Sequence, residues 1–165
     1  MSDEIMLFQG DCLEILDELI EKDLKFDAII ADPPYGTTAC KWDQVIPFEE
    51  MWDKLKKVSK PNTPVILFGN EPFSSLLRVS NLKNYRYDII WQKEKPTNPF
   101  TIKKQPGKVH ENISVFYEKT PFYSPQMKPR TNVTNPKPMK GDLNIDETNV
   151  VTGVYKHSVK IIILI

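Results

Sequence analysis

The stretch FDAIIADPPYG, residues Phe26 to Gly36, decides the fold of this chain. Its first six residues are mostly apolar and include two adjacent isoleucines, which is typical of a buried strand in a parallel sheet. This strand ends at Asp32. Pro33 and Pro34 lack backbone N–H donors and fix φ, so the chain must leave the strand as a stiff loop. We therefore expect Asp32 at the carboxyl edge of a sheet, where open α/β folds bind their ligands.

The loop after this strand combines hydrogen-bond acceptors with an aromatic ring. The Asp32 carboxylate and the proline carbonyls can converge on one small donor, such as an amino group with two hydrogens. Tyr35 adds a face suited to stacking on a planar base. The alternative is a polyproline ligand or an ordinary turn, but such ligands lie in polar disordered segments rather than directly after a buried strand. The pattern favours a site for an amine-bearing planar group.

The flanking sequence alternates between strand and helix patterns. Strands are predicted over 5–8, 64–72, 85–92 and 111–117, and amphipathic helices over 13–20, 48–60 and 73–79. The last strand is expected to be antiparallel to its neighbour, because the segment before it is too irregular for a crossover helix. Asn70 or Glu71 should lie on the same sheet edge as Asp32. The alternation predicts an α/β fold with a Rossmann-like, open and mostly parallel sheet.

FDAIIADPPYG and the preceding FQGDCLEIL, Phe8 to Leu16, together resemble the amino-terminal half of the DNA amino-methyltransferases, which act on adenine N-6 or cytosine N-4. The resemblance is to the permuted subgroup in which the DPPY motif precedes the cofactor glycine loop. It covers 5–119 and includes Trp91, Lys93 and the HEN triplet at 110–112. It implies the fold of S-adenosylmethionine-dependent methyltransferases, S-adenosylmethionine as cofactor and DNA as partner.

The resemblance also implies roles for individual residues. Asp32, Pro33, Pro34 and Tyr35 would be catalytic, with Tyr35 stacked on an adenine extruded from the helix and Asp32 and the Pro33 carbonyl accepting hydrogen bonds from its amine. Asp11 and Asp32 would contact the cofactor, and Asp11 has the alternative role of helix N-cap. Aspartate at the first motif position favours adenine over cytosine. No metal is needed.

His110 and Trp42 are two further candidates. An imidazole adds little if Asp32 already holds the amine, and no partner is spaced for a triad, so a structural or loop-positioning role is favoured for His110. Trp42 lies in 37–47, which is expected to be an exposed connection. Its indole could close over an extruded base or fasten the loop to the core, and packing is the favoured interpretation.

The charge of the chain is unevenly distributed. The 165 residues carry no net charge, yet the stretch from Lys95 to Lys140 contains nine lysines and arginines and only two acidic residues, Glu111 and Glu118. This basic half suits a phosphate backbone, or it is a solvated lysine-rich loop. Two cysteines without a CxxC pair indicate neither disulfides nor zinc and favour an intracellular, cytoplasmic protein. No signal peptide and no apolar run of about 20 residues is seen, so no membrane association is expected.

The chain divides into two predicted regions. Residues 1–119 should form the catalytic half, and 120–165 an irregular target-recognition or mobile segment with an apolar end, because its prolines forbid a long helix. The family's glycine-rich cofactor loop is missing, since the glycines stand at 10, 36, 69, 107, 141 and 153. We expect a truncated amino-terminal portion whose incomplete sheet invites self-association or a complementing chain. The alternative is a catalytically inactive remnant or DNA-binding module.

Overall fold

The computed structural model describes residues 8–98, 102–125 and 160–164. Contacts divide the chain into one unit of Met1–Pro121 with Val159–Ile165 and a second of Phe122–Ser158. The helices and strands among the described residues all belong to the first unit. The strand predicted over 5–8 and most of the segment predicted from 120 onward lie outside the described residues, so the boundary at 119 stays a prediction.

Helices and strands alternate along the first unit, as the sequence predicts. They are α1 (Cys12–Glu21), β1 (Ala28–Ala31), α2 (Phe48–Lys57), β2 (Val65–Gly69), α3 (Phe73–Ser80), β3 (Tyr85–Gln92), β4 (His110–Phe116) and β5 (Ile161–Leu164). The sheet has the order β3-β4-β2-β1-β5. β1 is parallel to β2 and β5, whereas β4 is antiparallel to β2 and β3, so four of the five strands share one direction. The predicted open and mostly parallel α/β sheet is confirmed, including its antiparallel member.

The three helices pack on one face of the sheet around a single apolar core. Each helix contributes two buried apolar residues spaced three or four apart, which places both on the same side of an α-helix. Alternate residues of the strands meet them, as expected for a period of two. The core residues are Leu16 and Leu19 of α1, Met51 and Leu55 of α2, Phe73 and Leu77 of α3, and Ile29, Ala31, Val65, Leu67, Phe116 and Ile162 of the strands.

β5 was not predicted as a strand. The sequence analysis assigned KIIILI to the apolar end of an irregular segment, but the structure places Ile161–Leu164 beside β1 in the sheet. Ile162 is buried in the core, whereas Ile161 and Ile163 are exposed on the opposite face. Asp27 helps to fasten this pairing, since its carboxylate accepts hydrogen bonds from the Lys160 backbone N–H at 2.9 Å and from Lys60 Nζ at 2.6 Å. The unbroken apolar run thus forms a strand, β5, that pairs with the buried strand β1 on one side.

The outer side of α3 carries exposed apolar residues. Leu76 and Val79 are apolar positions of the predicted helix over 73–79, yet they are 58% and 73% exposed. Phe73 and Leu77 are four residues apart and already fill the side that faces the sheet. No helix among the described residues is long and apolar enough to cross a membrane.

Two adjacent leucines of α3 give a matched test of this packing. Leu77→Ala should lower the free energy of unfolding by about 2 to 5 kcal/mol, because Leu77 is fully buried and its removal leaves a cavity. Leu76→Ala makes the same chemical change on the exposed side and should cost less than about 0.5 kcal/mol. Chemical denaturation of both variants measures the difference. Equal losses would contradict this orientation of α3.

Candidate active site

Asp32 follows β1 directly and stands at the carboxyl edge of the sheet, where the sequence places it. Its backbone N–H donates to the Leu164 carbonyl at 3.1 Å, which extends the β1–β5 ladder to this residue. The Asp32 residue is exposed, while Pro33 and Pro34 are partly buried. The carboxylate is therefore presented to solvent from a backbone that the sheet fixes.

Tyr35 bonds back to Asp32. Its hydroxyl donates to Asp32 Oδ1 at 2.5 Å, and its ring stacks on Phe73 with centroids 5.2 Å apart and an interplanar angle of 29°. Burial raises the pKa of the Tyr35 hydroxyl far above its ordinary value, and Asp32 and the Glu111 charge raise that pKa further. The hydroxyl therefore stays protonated and acts as a donor. Stacking of this ring on a base stays a prediction.

Asp43 fastens the loop that follows the motif. Its carboxylate accepts hydrogen bonds from the backbone N–H groups of Gly36, Thr37 and Thr38 at 2.8, 2.9 and 2.6 Å. Gly36 has φ of +68°, and a Cβ there would lie 2.8 Å from a methyl carbon of Val45, so only glycine fits the turn. The sequence analysis treated 37–47 as an exposed connection and missed this role. The available signal was an aspartate shortly after a Gly-Thr-Thr turn.

The bonds to Asp43 also change its acidity. A hydrogen bond from the Thr38 side chain, with those from the backbone N–H groups, lowers the pKa of the Asp43 carboxyl to about 2. Asp43 is 7% exposed, so the ionised carboxylate exchanges water for protein donors on folding. The loop next to the motif is therefore organised by one buried negative charge.

The ends of the neighbouring strands add further charged and polar groups to this edge. Glu111 in β4 forms an ion pair with Lys93, which directly follows β3, and both side chains are partly buried. Asn70 directly follows β2, and its buried Oδ1 has no hydrogen-bond partner among the described residues. Glu71 pairs with Arg78 at 2.5 Å and accepts a hydrogen bond from Asn112 at 3.4 Å. The edge is thus rich in acceptors, and the charges of its two glutamates are balanced by Lys93 and Arg78.

Asp11 and His110 are two further site residues predicted from the sequence. Asp11 is the N-cap of α1, because its Oδ1 accepts a hydrogen bond from the Leu13 N–H at 2.8 Å, so this alternative is confirmed. No hydrogen bond in the described part of the chain joins Asp11 to Asp32, and a cofactor role for Asp11 stays a prediction. His110 is the exposed first residue of β4, and its proposed structural role is likewise untested.

Trp42 contradicts its favoured interpretation. The indole was expected to pack against the core and fasten the loop, but Trp42 is 74% exposed. Asp43, the next residue, performs the fastening by hydrogen bonds instead.

Within 8–98, 102–125 and 160–164 no group of three His, Cys, Asp or Glu side chains is arranged to hold a metal ion.

The lowered pKa of Asp43 predicts a pH-dependent contribution to stability. A carboxyl group whose pKa falls on folding stabilises the protein above its unfolded pKa of 3.8 and loses that effect as the pH drops towards about 2. Asp43→Asn should therefore be less stable than the wild type near neutral pH, with the gap shrinking below pH 3.8. Urea denaturation at several pH values measures the gap.

Asp53→Asn is the matched control for this experiment. Asp53 undergoes the same chemical change but lies exposed on α2, paired with Lys57 at 2.6 Å. Exposed pairs contribute little, so this variant should follow the wild type throughout the pH range. A gap for Asp43→Asn that does not change with pH would contradict the role of the buried charge.

No protein-family model and no curated protein matches this chain. Solved structures similar to it include M1.HpyAVI in complex with SAM, with a TM-score of 0.60 and 22% identity over 78% of this chain and 61% of that one. A second structure of M1.HpyAVI gives a TM-score of 0.57 and 22% identity over 76% of this chain and 62% of that one. The chain thus spans less than two thirds of the length of these neighbours. At this identity the likeness establishes the fold alone: the chain shares the Rossmann-like, open α/β fold of M1.HpyAVI.

Proposed function

We propose that this chain is the catalytic half of a DNA methyltransferase of the permuted, DPPY-first subgroup. It would transfer the methyl group of S-adenosylmethionine to the exocyclic amine of adenine, with cytosine less favoured. The observation that carries the proposal is the edge formed by Asp32 to Tyr35, where a fixed carboxylate and proline carbonyls end a central strand of a methyltransferase fold. The SAM complex of M1.HpyAVI supports the cofactor.

The acceptor groups at this edge suit an amine that must become nucleophilic. Tyr35 occupies Asp32 Oδ1, which leaves Oδ2 and the Pro33 carbonyl to accept the two amine hydrogens. Such bonds draw the nitrogen lone pair out of conjugation with the ring and aim it away from the acceptors. As the N–C bond forms, positive charge develops on nitrogen, and the Asp32 carboxylate stabilises it. The amine proton then leaves to Asp32 or to water.

The cofactor would supply an electrophilic methyl group on a sulfonium, whose C–S bond breaks to give a neutral thioether. Asp11 and Asp32 are the proposed contacts. Their carboxylates fit the ammonium and hydroxyl groups of S-adenosylmethionine, and the N-cap bond of Asp11 uses only Oδ1. Asp11 is exposed, so its Oδ2 can meet a ligand without a desolvation cost inside the core.

DNA is the proposed partner because basic side chains project beside the site. The connection between β3 and β4 carries Lys95, Lys103 and Lys104, all exposed. Hydrogen bonds at its base include those from the Thr97 N–H to the Lys108 carbonyl at 2.9 Å and from the Lys108 N–H to Asn98 Oδ1 at 2.7 Å. Exposed lysines that extend from this base suit contacts to phosphates.

A second candidate function is a catalytically inactive remnant or DNA-binding module. The glycine spacing favours it, since no two glycines of the chain stand close enough to form the family's cofactor loop. Self-association or a complementing chain also stays a proposal. β5 ends the described sheet and exposes Ile161 and Ile163, which is the kind of edge that attracts another strand.

Isothermal titration calorimetry with S-adenosylmethionine separates the two candidates. The methyltransferase proposal expects the 165-residue chain to bind S-adenosylmethionine when a complementing chain is present, measured with and without DNA. The binding module expects no binding under any of these conditions, so absence of binding with the complementing chain would remove the cofactor from the proposal. Asp11→Asn should weaken the affinity if Asp11 contacts the cofactor.

The acceptor role of Asp32 gives a direct kinetic prediction. In a complemented or full-length form, Asp32→Ala should lower methyl transfer to DNA by about 100-fold or more, because removal of one preorganised electrostatic group typically costs that much. DNA binding should be unchanged. Mass spectrometry of digested DNA measures the methylated base and distinguishes adenine from cytosine. Asp53→Ala, on the exposed side of α2, is the control, and unchanged turnover in Asp32→Ala would eliminate the assignment.

A further inference from the structure

Trp42 differs from the other tryptophans of the chain. Trp52 donates its Nε1–H to Ser80 at 2.8 Å and packs on Phe116, and Trp91 meets Phe68 edge to face at 6.2 Å. Trp42 is 74% exposed and takes part in no ring contact or hydrogen bond within the described residues. The packing of this part of the chain does not use its indole.

The exposed indole is presented by an ordered backbone. Asp43 binds three N–H groups of the loop, and its own N–H donates to the Cys40 carbonyl at 3.0 Å. Thr38 Oγ1 accepts a further bond from the Cys40 N–H at 3.3 Å. Trp42 lies within this hydrogen-bonded turn, between Cys40 and Asp43, whose backbones the bonds fix. The backbone on both sides of the exposed ring is therefore fixed by hydrogen bonds.

The same bonds place Trp42 close to the proposed acceptor site. Asp43 Oδ1 lies 2.8 Å from the Gly36 backbone nitrogen, and Gly36 adjoins Tyr35, whose hydroxyl bonds to Asp32. The Cα atoms of consecutive residues are about 3.8 Å apart, so the backbone of Trp42 lies within a few residue lengths of Tyr35. Lys41, the preceding residue, is also exposed and adds a positive charge to the same turn.

We propose that Trp42, assisted by Lys41, is a stacking site for an unpaired nucleobase that neighbours the base held at Asp32. The inference rests on the proposed function, since it takes DNA as the partner. An aromatic face next to a cation is the usual means of binding single-stranded nucleic acid, because every base has a face to stack and a phosphate nearby. A strand that gives up one base to the acceptor site leaves adjacent bases partly unstacked, and the indole covers one of them.

Fluorescence anisotropy with a labelled single-stranded oligonucleotide tests the site on the full chain without cofactor. Trp42→Ala should bind about 5-fold or more weakly than the wild type, in line with the measured contribution of one stacked base. Trp42→Phe should recover part of the loss, because a phenyl ring still stacks. Leu82→Ala is the control for removing an exposed apolar side chain, since Leu82 is 67% exposed, and should bind like the wild type. Thermal unfolding should be unchanged in every variant.

Intrinsic fluorescence gives a second readout that a structural role would not produce. In a Trp91→Phe background the remaining tryptophans are Trp42 and the hydrogen-bonded Trp52. Oligonucleotide should quench the emission in this background and leave it unchanged when Trp42→Phe is added. Quenching that persists without Trp42 would overturn the proposal.

The outcomes separate this inference from the proposed function. If the wild type binds oligonucleotide and Trp42→Ala binds equally well, the stacking site is refuted while the methyltransferase proposal stands. If Trp42→Phe binds as weakly as Trp42→Ala, stacking is also refuted. If the wild type binds duplex DNA but no single-stranded oligonucleotide, the stacking site is refuted; if it binds neither, DNA as partner is refuted as well. Methyl transfer is measured separately through Asp32→Ala, so loss of that function does not imitate any of these results.

Discussion

The structure depends on the pairing of one very short strand on both of its sides. β1 has four residues and pairs with both β2 and β5, and its ladder to β5 continues to Asp32, whose N–H donates to the Leu164 carbonyl. Ile29 in its middle is fully buried beneath the helices. A strand held this way cannot tilt or slip without exposing its core side chain, because a slip of one residue exchanges the two faces. The position of the Asp32 carboxylate therefore follows from the sheet rather than from the loop.

Beyond this strand, the site is built from acceptors and one retained proton. Asp32 and Glu111 bring negative charge to the edge, and the Tyr35 hydroxyl supplies a donor that burial and both carboxylates keep protonated. The next loop is organised around a further carboxylate, Asp43, which is satisfied entirely by the protein. One carboxylate is thus exposed and available for a ligand, and another is buried and structural. Their surroundings, not their chemistry, separate the two roles.

The two faces of the described sheet differ. One face lies under three helices, while side chains of the other, such as Ile89, Trp91 and Ile163, are exposed among the described residues. The chain spans 61% of M1.HpyAVI in its SAM complex. The proposed chemistry depends on the acceptor edge, whose residues all lie in the described part of the chain. Titration with S-adenosylmethionine tests the proposed cofactor contacts.

The sequence by itself determined the elements with strong local patterns. β3 has the bounds predicted for it, the three described helices follow their apolar spacing, and the prolines after Asp32 end β1 because they cannot donate to a ladder. Tertiary structure alone decided which apolar runs find partners. Ile161–Leu164 became a strand because Asp27 and β1, more than 130 residues earlier, accept it, and a local pattern carries no information about such a partner. It also decided that Asp43 is buried and Trp42 exposed, since a loop's burial depends on which backbone donors converge on it, and residue type does not fix that convergence.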